Sequence, residues 1–151
     1  MHLNTEETDI IVRGCGPTGA MLAGYLGTMN VRCIVLEREG EIVTDPRGIA
    51  LDEDGIRLVQ GLGFSLGDHH DLTKGAVMVM DYGTSEGGTG HVGFICHKQP
   101  GLEKYLRKKL AETKAVDFRP QSTIVGISED DDHVYVEYKD KNGEIRGRRR
   151  W

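Results

Sequence analysis

An α/β fold is what this chain predicts, on three features. Two short apolar runs, Ile10-Ile11-Val12 and Val31 with Cys33 to Leu36, lie either side of a glycine-rich turn and a helical stretch. Runs without polar alternation suit strands covered on both faces, as in a parallel sheet. The turn reads Gly14-Cys15-Gly16-Pro17-Thr18-Gly19, and an acid, Glu37, closes the second run about twenty residues beyond the middle glycine. Strand, glycine turn, helix, strand and acid together read as a Rossmann-like βαβ unit of the dinucleotide-binding kind.

Each residue of that unit answers a local demand. Gly14 turns the chain sharply out of the first strand, Gly16 lets backbone amides approach a pyrophosphate, and Gly19 permits close packing of helix on strand. The helix is expected from Pro17 to Met29, with Met21, Leu22, Tyr25 and Leu26 toward the sheet. Proline in the first turn costs no hydrogen bond, and the free N–H groups and positive dipole end there favour a diphosphate. Glu37 stands at the interval where an acid meets ribose hydroxyls. Cys15 sits where a thiol pKa can fall, although a small residue is the plainer need. Arg13 is unusual before a first glycine, because burying an unpaired guanidinium is costly; an open strand end would spare it.

Beyond Glu37 comes a polar loop holding Asp45-Pro46-Arg47-Gly48, then Asp52 as N-cap of a short helix with Ile56, Leu58 and Val59, stopped by Gly61-Leu62-Gly63. Residues 75–82 and 91–97 read as two strands around a glycine-rich loop at 83–90, an inserted hairpin. Gln99-Pro100-Gly101 opens an amphipathic helix with Leu102, Leu106 and Leu110 on one face and Lys104, Arg107, Lys108 and Lys109 largely on the other. Ala115 to Phe118 is a candidate third parallel strand. From Ser122 the pattern alternates, Val125 with Ile127 and then Val134, Val136 and Tyr138, with turns at Asp130–Asp132 and Asn142-Gly143. That is an antiparallel meander over 122–151.

The bulk properties exclude several classes. A chain of 151 residues has room for one core, and its formal charge of -5 argues against nucleic-acid binding. The polar start and the lack of a long apolar run argue against secretion and against the membrane. Cys15, Cys33 and Cys96, odd in number, suit free thiols in the cytoplasm. No metal site is expected: Asp68-His69-His70-Asp71 follows no metal-ligand spacing, and Glu129 to Asp132 lacks the alternation and glycine of a calcium loop. The Arg146 to Arg150 run reads as a strand end in an acidic domain. No catalytic acid, base or nucleophile is legible from residue order, and the oligomeric state is open.

Those motifs in that order resemble the class A flavin-dependent aromatic hydroxylases of the p-hydroxybenzoate hydroxylase type, within them the phenol and 3-hydroxyphenylpropionate hydroxylase branch. The likeness rests on Gly14 to Gly19, on Glu37-Arg38, on Pro46-Arg47-Gly48 with Asp52-Glu53, and on His97-Lys98-Gln99-Pro100 followed by Leu102-Glu103 and Leu106. It implies FAD as cofactor, NADH or NADPH as co-substrate, and a small aromatic, phenolic substrate. By that resemblance Gly14, Gly16 and Gly19, with Pro17 and Thr18 between them, lie at the FAD pyrophosphate. Glu37 takes the adenosine ribose, with Arg38 in the same cofactor-binding set, and Arg47 lies near the pyrophosphate and flavin, where a guanidinium pairs bidentately with phosphate. Gln99 contacts the cofactor from the start of its helix. The flavin carries the oxygen chemistry and the protein positions it.

Departures from the family pattern shape one further expectation. The sequence reaches Arg148-Arg149-Arg150-Trp151 without the family's Asp-Gly segment or the later Gly-Asp motif. It therefore reads as the amino-terminal part of an FAD-binding domain, with 75–97 as the start of a substrate-domain sheet, 122–151 as the meander, and a sheet incomplete at the carboxyl terminus. The first strand, expected to be the most buried of the parallel strands, would then show an open apolar edge. Such a piece is expected to be inactive alone. The alternative is a non-catalytic Rossmann module that binds a nucleotide or a partner chain.

Overall fold

Cys33–Leu36, four consecutive apolar residues, forms strand β2 and is buried along its whole length. The computed structural model describes residues 6–45, 47–48, 50–64 and 94–149. They fall into two compact units, one of residues 1–42 with 106–151 and one of residues 43–105.

In the first unit β2 is the middle strand of a parallel sheet, between Ile10–Arg13 (β1) and Val116–Arg119 (β5). The register sets Ile11 beside Ile34 and Val12 beside Val35, while Val35 also faces Phe118 across the other edge. Helix α1, Pro17–Thr28, packs on all three strands. On the opposite face Ile34 and Leu36 meet Val136 and Tyr138, with Ile11 and Ile124 packed against them. Coverage on both sides explains the unbroken apolar run, since alternate residues of β2 serve different layers. Burial of side chains such as Val35 and Leu36 contributes roughly 1.5–3 kcal/mol each. The strand buried end to end is thus β2 rather than β1, whose outer residues stay partly open among the described residues.

The inner face of α1 differs from the expected one. Of Met21, Leu22, Tyr25 and Leu26, Leu26 is buried, whereas Leu22 is 50% exposed. Ala20, Ala23 and Gly24 fill the contact instead. Small side chains let the helix axis approach the sheet closely, and the larger apolar groups are left at its flanks.

The meander follows β5 as Thr123–Glu129 (β6), Val134–Lys139 (β7) and Ile145–Arg149 (β8), all antiparallel. Val136 and Tyr138 point into the core as the alternation predicts. Val125 and Ile127 do not form the inner face of β6: the register slips between Ile124 and Gly126, and both residues are exposed, Ile127 by 64%. The two-residue alternation is kept through Ile127 but in the opposite phase, and Ile124 is the inward residue, packed against the core. Arg119 ties β5 to β7, its Nη1 donating to the Tyr138 hydroxyl at 2.8 Å while Nη2 reaches Glu6 at 2.9 Å and also Asp117. Burial works against that charge, but the bonds to Asp117 and Glu6 outweigh it and raise its pKa.

The second unit holds a strand that the sequence did not announce. Ala50–Asp52 (β3) pairs antiparallel with Phe94–Cys96 (β4), Leu51 opposite Ile95. The first strand of the expected hairpin, 75–82, and its loop lie outside the described residues. Asp52 also caps Glu53–Gly61 (α2), its Oδ1 accepting the Gly55 N–H at 2.9 Å. Ile56 and Val59 are buried, Leu58 remains exposed, and the chain leaves α2 through Gly63 at φ +86°. Helix α3, Gln99–Ala111, carries the expected buried stripe of Leu102, Leu106 and Leu110. Phe64 meets the Tyr105 ring edge-on at 4.8 Å. Farther along α3, in the first unit, the Arg107 guanidinium lies 5.2 Å above the Phe118 ring of β5.

Candidate functional site

Strand β1 ends where Gly14 takes φ +90°, a left-handed conformation that side chains disfavour. Its N–H donates to Leu36 O at 2.8 Å and fastens the turn to the end of β2. Gly16 is the N-cap of α1, with extended backbone and no side chain capping the helix. Pro17 follows without an N–H, and the Ala20 N–H returns to Gly16 O at 2.9 Å. The amides of Thr18 and Gly19 are left at the helix mouth, where the dipole is positive.

Three glycines divide two tasks. A Cβ on Gly14 or Gly16 would meet nothing within 4 Å, so the space above them is open to a ligand. On Gly19 a Cβ would stand 2.2 Å from Gly14 O. Gly19 therefore shapes the turn, and Gly16 leaves it accessible.

Glu37 is held between β5 and β6. Its N–H donates to Arg119 O at 3.0 Å and its carbonyl accepts the Ser122 N–H at 2.8 Å. Its carboxylate reaches back to the turn: Oε2 accepts the Cys15 N–H at 2.5 Å, and Oε1 accepts the Glu39 N–H at 2.8 Å. The acid thus braces the glycine turn as well as standing at the ribose interval, a second task that residue spacing does not reveal. Arg13, Gly14, Glu37, Arg38, Ser122 and Thr123 line a cavity of about 320 Å³ at this end of the sheet. Arg13 is exposed at its rim, so no guanidinium is buried there, and Arg38 Nε donates to Glu39 Oε1 at 2.9 Å. Outward amides, open glycines, a carboxylate and two guanidiniums fit a ligand with a diphosphate and a ribose.

The cysteines of this unit are packed rather than presented. Cys15 is 0% exposed, and Cys33 is buried in β2, where loss of solvent pushes its thiol up to about 11. Both are free. Asp130 belongs to its hairpin turn, Oδ1 accepting the Asp132 N–H at 3.0 Å and the His133 N–H at 2.8 Å. Asp68 to Asp71 lie outside the described residues. Among the described residues no group of His, Cys, Asp and Glu is placed to hold a metal, and no helix is long and apolar enough to cross a membrane.

The second unit brings together Arg47, Gly48 and Gln99; Pro46 lies outside the described residues. Arg47 is exposed. Beside it, a Cβ on Gly48 would lie 3.4 Å from Gln99 Oε1 and 3.9 Å from His97 Cε1. The Gln99 side chain is itself held, Nε2 donating to Glu103 Oε1 at 2.7 Å. Residue order does not assign Glu103 this part, although its place on the leucine stripe is a visible signal.

The class defined by this fold and turn is that of nucleotide-binding α/β domains. Comparison with known proteins narrows it: residues 7–148 match the FAD binding domain family, and the chain belongs to that family. Among curated relatives it is 29% identical over 150 residues to 3-(3-hydroxy-phenyl)propionate/3-hydroxycinnamic acid hydroxylase 2 of Burkholderia vietnamiensis. The match covers 93% of this chain and 28% of that protein. The chain thus spans little more than a quarter of the relative's length. Among solved structures, p-nitrophenol 4-monooxygenase PnpA from Pseudomonas putida superposes over 99% of this chain and 40% of its own, with a TM-score of 0.80 at 23% identity. The flavin-dependent monooxygenase PieE, solved with FAD and substrate, covers 96% of this chain and 29% of its own, with a TM-score of 0.77 at 17% identity. At those identities the likeness is one of fold.

Proposed function

We propose that the chain is the FAD-binding part of an NAD(P)H-dependent flavoprotein monooxygenase that hydroxylates a small phenolic substrate. The observation that carries the reading is the open cradle over Gly14 and Gly16 at the uncapped start of α1, with Glu37 beside it. In this reading the Thr18 and Gly19 amides hold the pyrophosphate, and no side chain intervenes. Glu37 keeps a lone pair on each oxygen for a ribose hydroxyl while bonded to Cys15 and Glu39. Arg38 lines the adenosine end, Arg47 supplies a guanidinium for phosphate oxygens, and Gln99 offers an amide to the cofactor. The chemistry that FAD would supply here is redox, electrons taken from NADH or NADPH and passed on to oxygen. What these residues supply is binding and orientation.

The Burkholderia relative, named for hydroxyphenylpropionate and hydroxycinnamic acid, supports a phenolic substrate class. Residues 75–97 are proposed as the start of the substrate-domain sheet, and three cysteines in odd number favour a cytoplasmic setting. Calorimetric titration of the purified chain tests the reading. FAD should bind more tightly than ADP or NADH, and Gly16→Val should remove that binding while the thermal unfolding midpoint falls by only a few degrees, the scale of an altered N-cap. Equal affinities for the three ligands, untouched by Gly16→Val, would overturn it.

A further inference from the structure

Gln99, Glu103, Leu106 and Leu110 follow one another at the i, i+4, i+7 and i+11 positions of α3 and share a face of the helix. Leu106 and Leu110 are buried there as the pattern demands. Glu103 occupies an apolar position of the same stripe and is 4% exposed. A carboxylate in such a place is costly unless hydrogen-bonded, and it holds the Gln99 amide at 2.7 Å. The carboxylate oxygen takes its hydrogen from Nε2, and that bond selects one of the two orientations of the amide. Nε2 must face Glu103, which turns Oε1 away from the stripe and toward the Arg47-Gly48 backbone, where a Gly48 Cβ would stand 3.4 Å from it.

We infer that Glu103 is a positioning residue: it fixes the rotamer and the polarity of Gln99, so that the amide is presented to the cofactor as a hydrogen-bond acceptor. The inference rests on the proposed FAD site for its ligand, but the orientation of Gln99 stands on the bond itself. A neutral side-chain amide left free would offer donor and acceptor equally and spread over several rotamers. Tied to a buried carboxylate, it selects ligand groups that carry an N–H or O–H at that point. This is the way an outer residue sharpens a contact that another residue makes.

Two readouts on the whole chain test it. In a ¹H–¹⁵N spectrum one Gln99 side-chain amide proton should lie well downfield of its partner and exchange slowly, assigned by its loss in Gln99→Ala. Glu103→Leu, which has no acceptor, should return that pair to the position of a solvated glutamine. A wild-type pair already at that position would overturn the inference, whether or not FAD binds. The second readout is FAD affinity: Glu103→Gln and Gln99→Ala should each weaken it about tenfold, with the double variant no weaker than Gln99→Ala alone. Losses that multiply in the double variant would show Glu103 acting independently of Gln99 and would also overturn it. Glu103→Leu separates positioning from mere structure, since an apolar residue on the stripe should keep or raise the unfolding temperature while FAD affinity still falls. Absence of FAD binding by the wild type would count against the FAD site, leaving the amide spectrum to decide the role of Glu103.

Discussion

The glycine turn between β1 and α1 and the patch of Arg47, Gly48 and Gln99 are built on different principles. In the turn, backbone atoms do the holding: Gly14 N–H on Leu36 O, Cys15 N–H on Glu37, and open space where Gly16 has no side chain. In the patch, side chains do it, with Gln99 tethered to Glu103 and Arg47 extended into solvent. A backbone site is dictated by dihedral angles and steric exclusion, which act within a few residues. A side-chain site depends on neighbours that the chain supplies from elsewhere. Damage to the first should therefore separate cleanly into loss of fold and loss of ligand, and damage to the second should be graded.

The largest effect is expected at Gly19. Its added Cβ would sit 2.2 Å from Gly14 O, a backbone atom that cannot swing aside, so Gly19→Ala should cost about 3 kcal/mol or more. Thermal unfolding measures it; an unchanged midpoint would mean that the turn is looser than the structure shows. Gly16→Ala marks the other half of the contrast. Its Cβ meets no protein atom, so stability should change by about 1 kcal/mol or less, the scale of an altered N-cap, while FAD affinity drops at least about tenfold. Equal losses of stability in the two variants would erase the division of labour among the glycines.

Smaller changes are expected where side chains organise the second unit. Asp52→Ala removes the acceptor for Gly55 N–H and should cost about 1 kcal/mol in chemical denaturation, because the start of α2 loses its cap. The smallest effect belongs to the hairpin turn of the meander. The Tyr135 hydroxyl bonded to Asp130, with the Asp132 and His133 amides behind it, holds that carboxyl at about 2 against an ordinary 3.8. A depressed acid stabilises the fold above its unfolded pKa, and the contribution is lost as pH falls through the folded value. Unfolding midpoints should therefore decline slightly between pH 4 and pH 2, and Asp130→Asn should flatten part of that decline. Cys33 gives the opposite sign: its raised thiol lends stability that fades as pH climbs from 9 toward about 11.

Much of the cradle was legible in the sequence, since each of its features is local. The left-handed angle at Gly14, the close approach at Gly19 and the acid after β2 are demands met within one βαβ unit, and the buried run Cys33–Leu36 needs no distant information to be read as a covered strand. The Asp52 cap and the leucine stripe of α3 were legible for the same reason. Elsewhere the decisive partner is remote. Ala50–Asp52 has neither alternation nor β-branching and is a strand only because Phe94–Cys96 lies beside it. The inward face of α1 is set by how near the helix comes to the sheet, which favours Ala20, Ala23 and Gly24 over the larger Met21 and Leu22. Alternation along β6 does not say which of its two faces turns inward; packing selects Ile124, against Ile34, Leu36, Val136 and Tyr138, and leaves Val125 and Ile127 outside. Glu103 escapes for a related reason: that its carboxylate orients Gln99 depends on burial, which sequence spacing alone does not give.

Backbone amide shifts during titration with FAD put the cradle itself to the test. The signals of Cys15, Thr18 and Gly19 should move most, with Glu37 following and the Asp130–Asp132 turn unmoved. Saturable FAD binding that leaves Cys15, Thr18 and Gly19 in place would show the cofactor held elsewhere and would contradict the cradle.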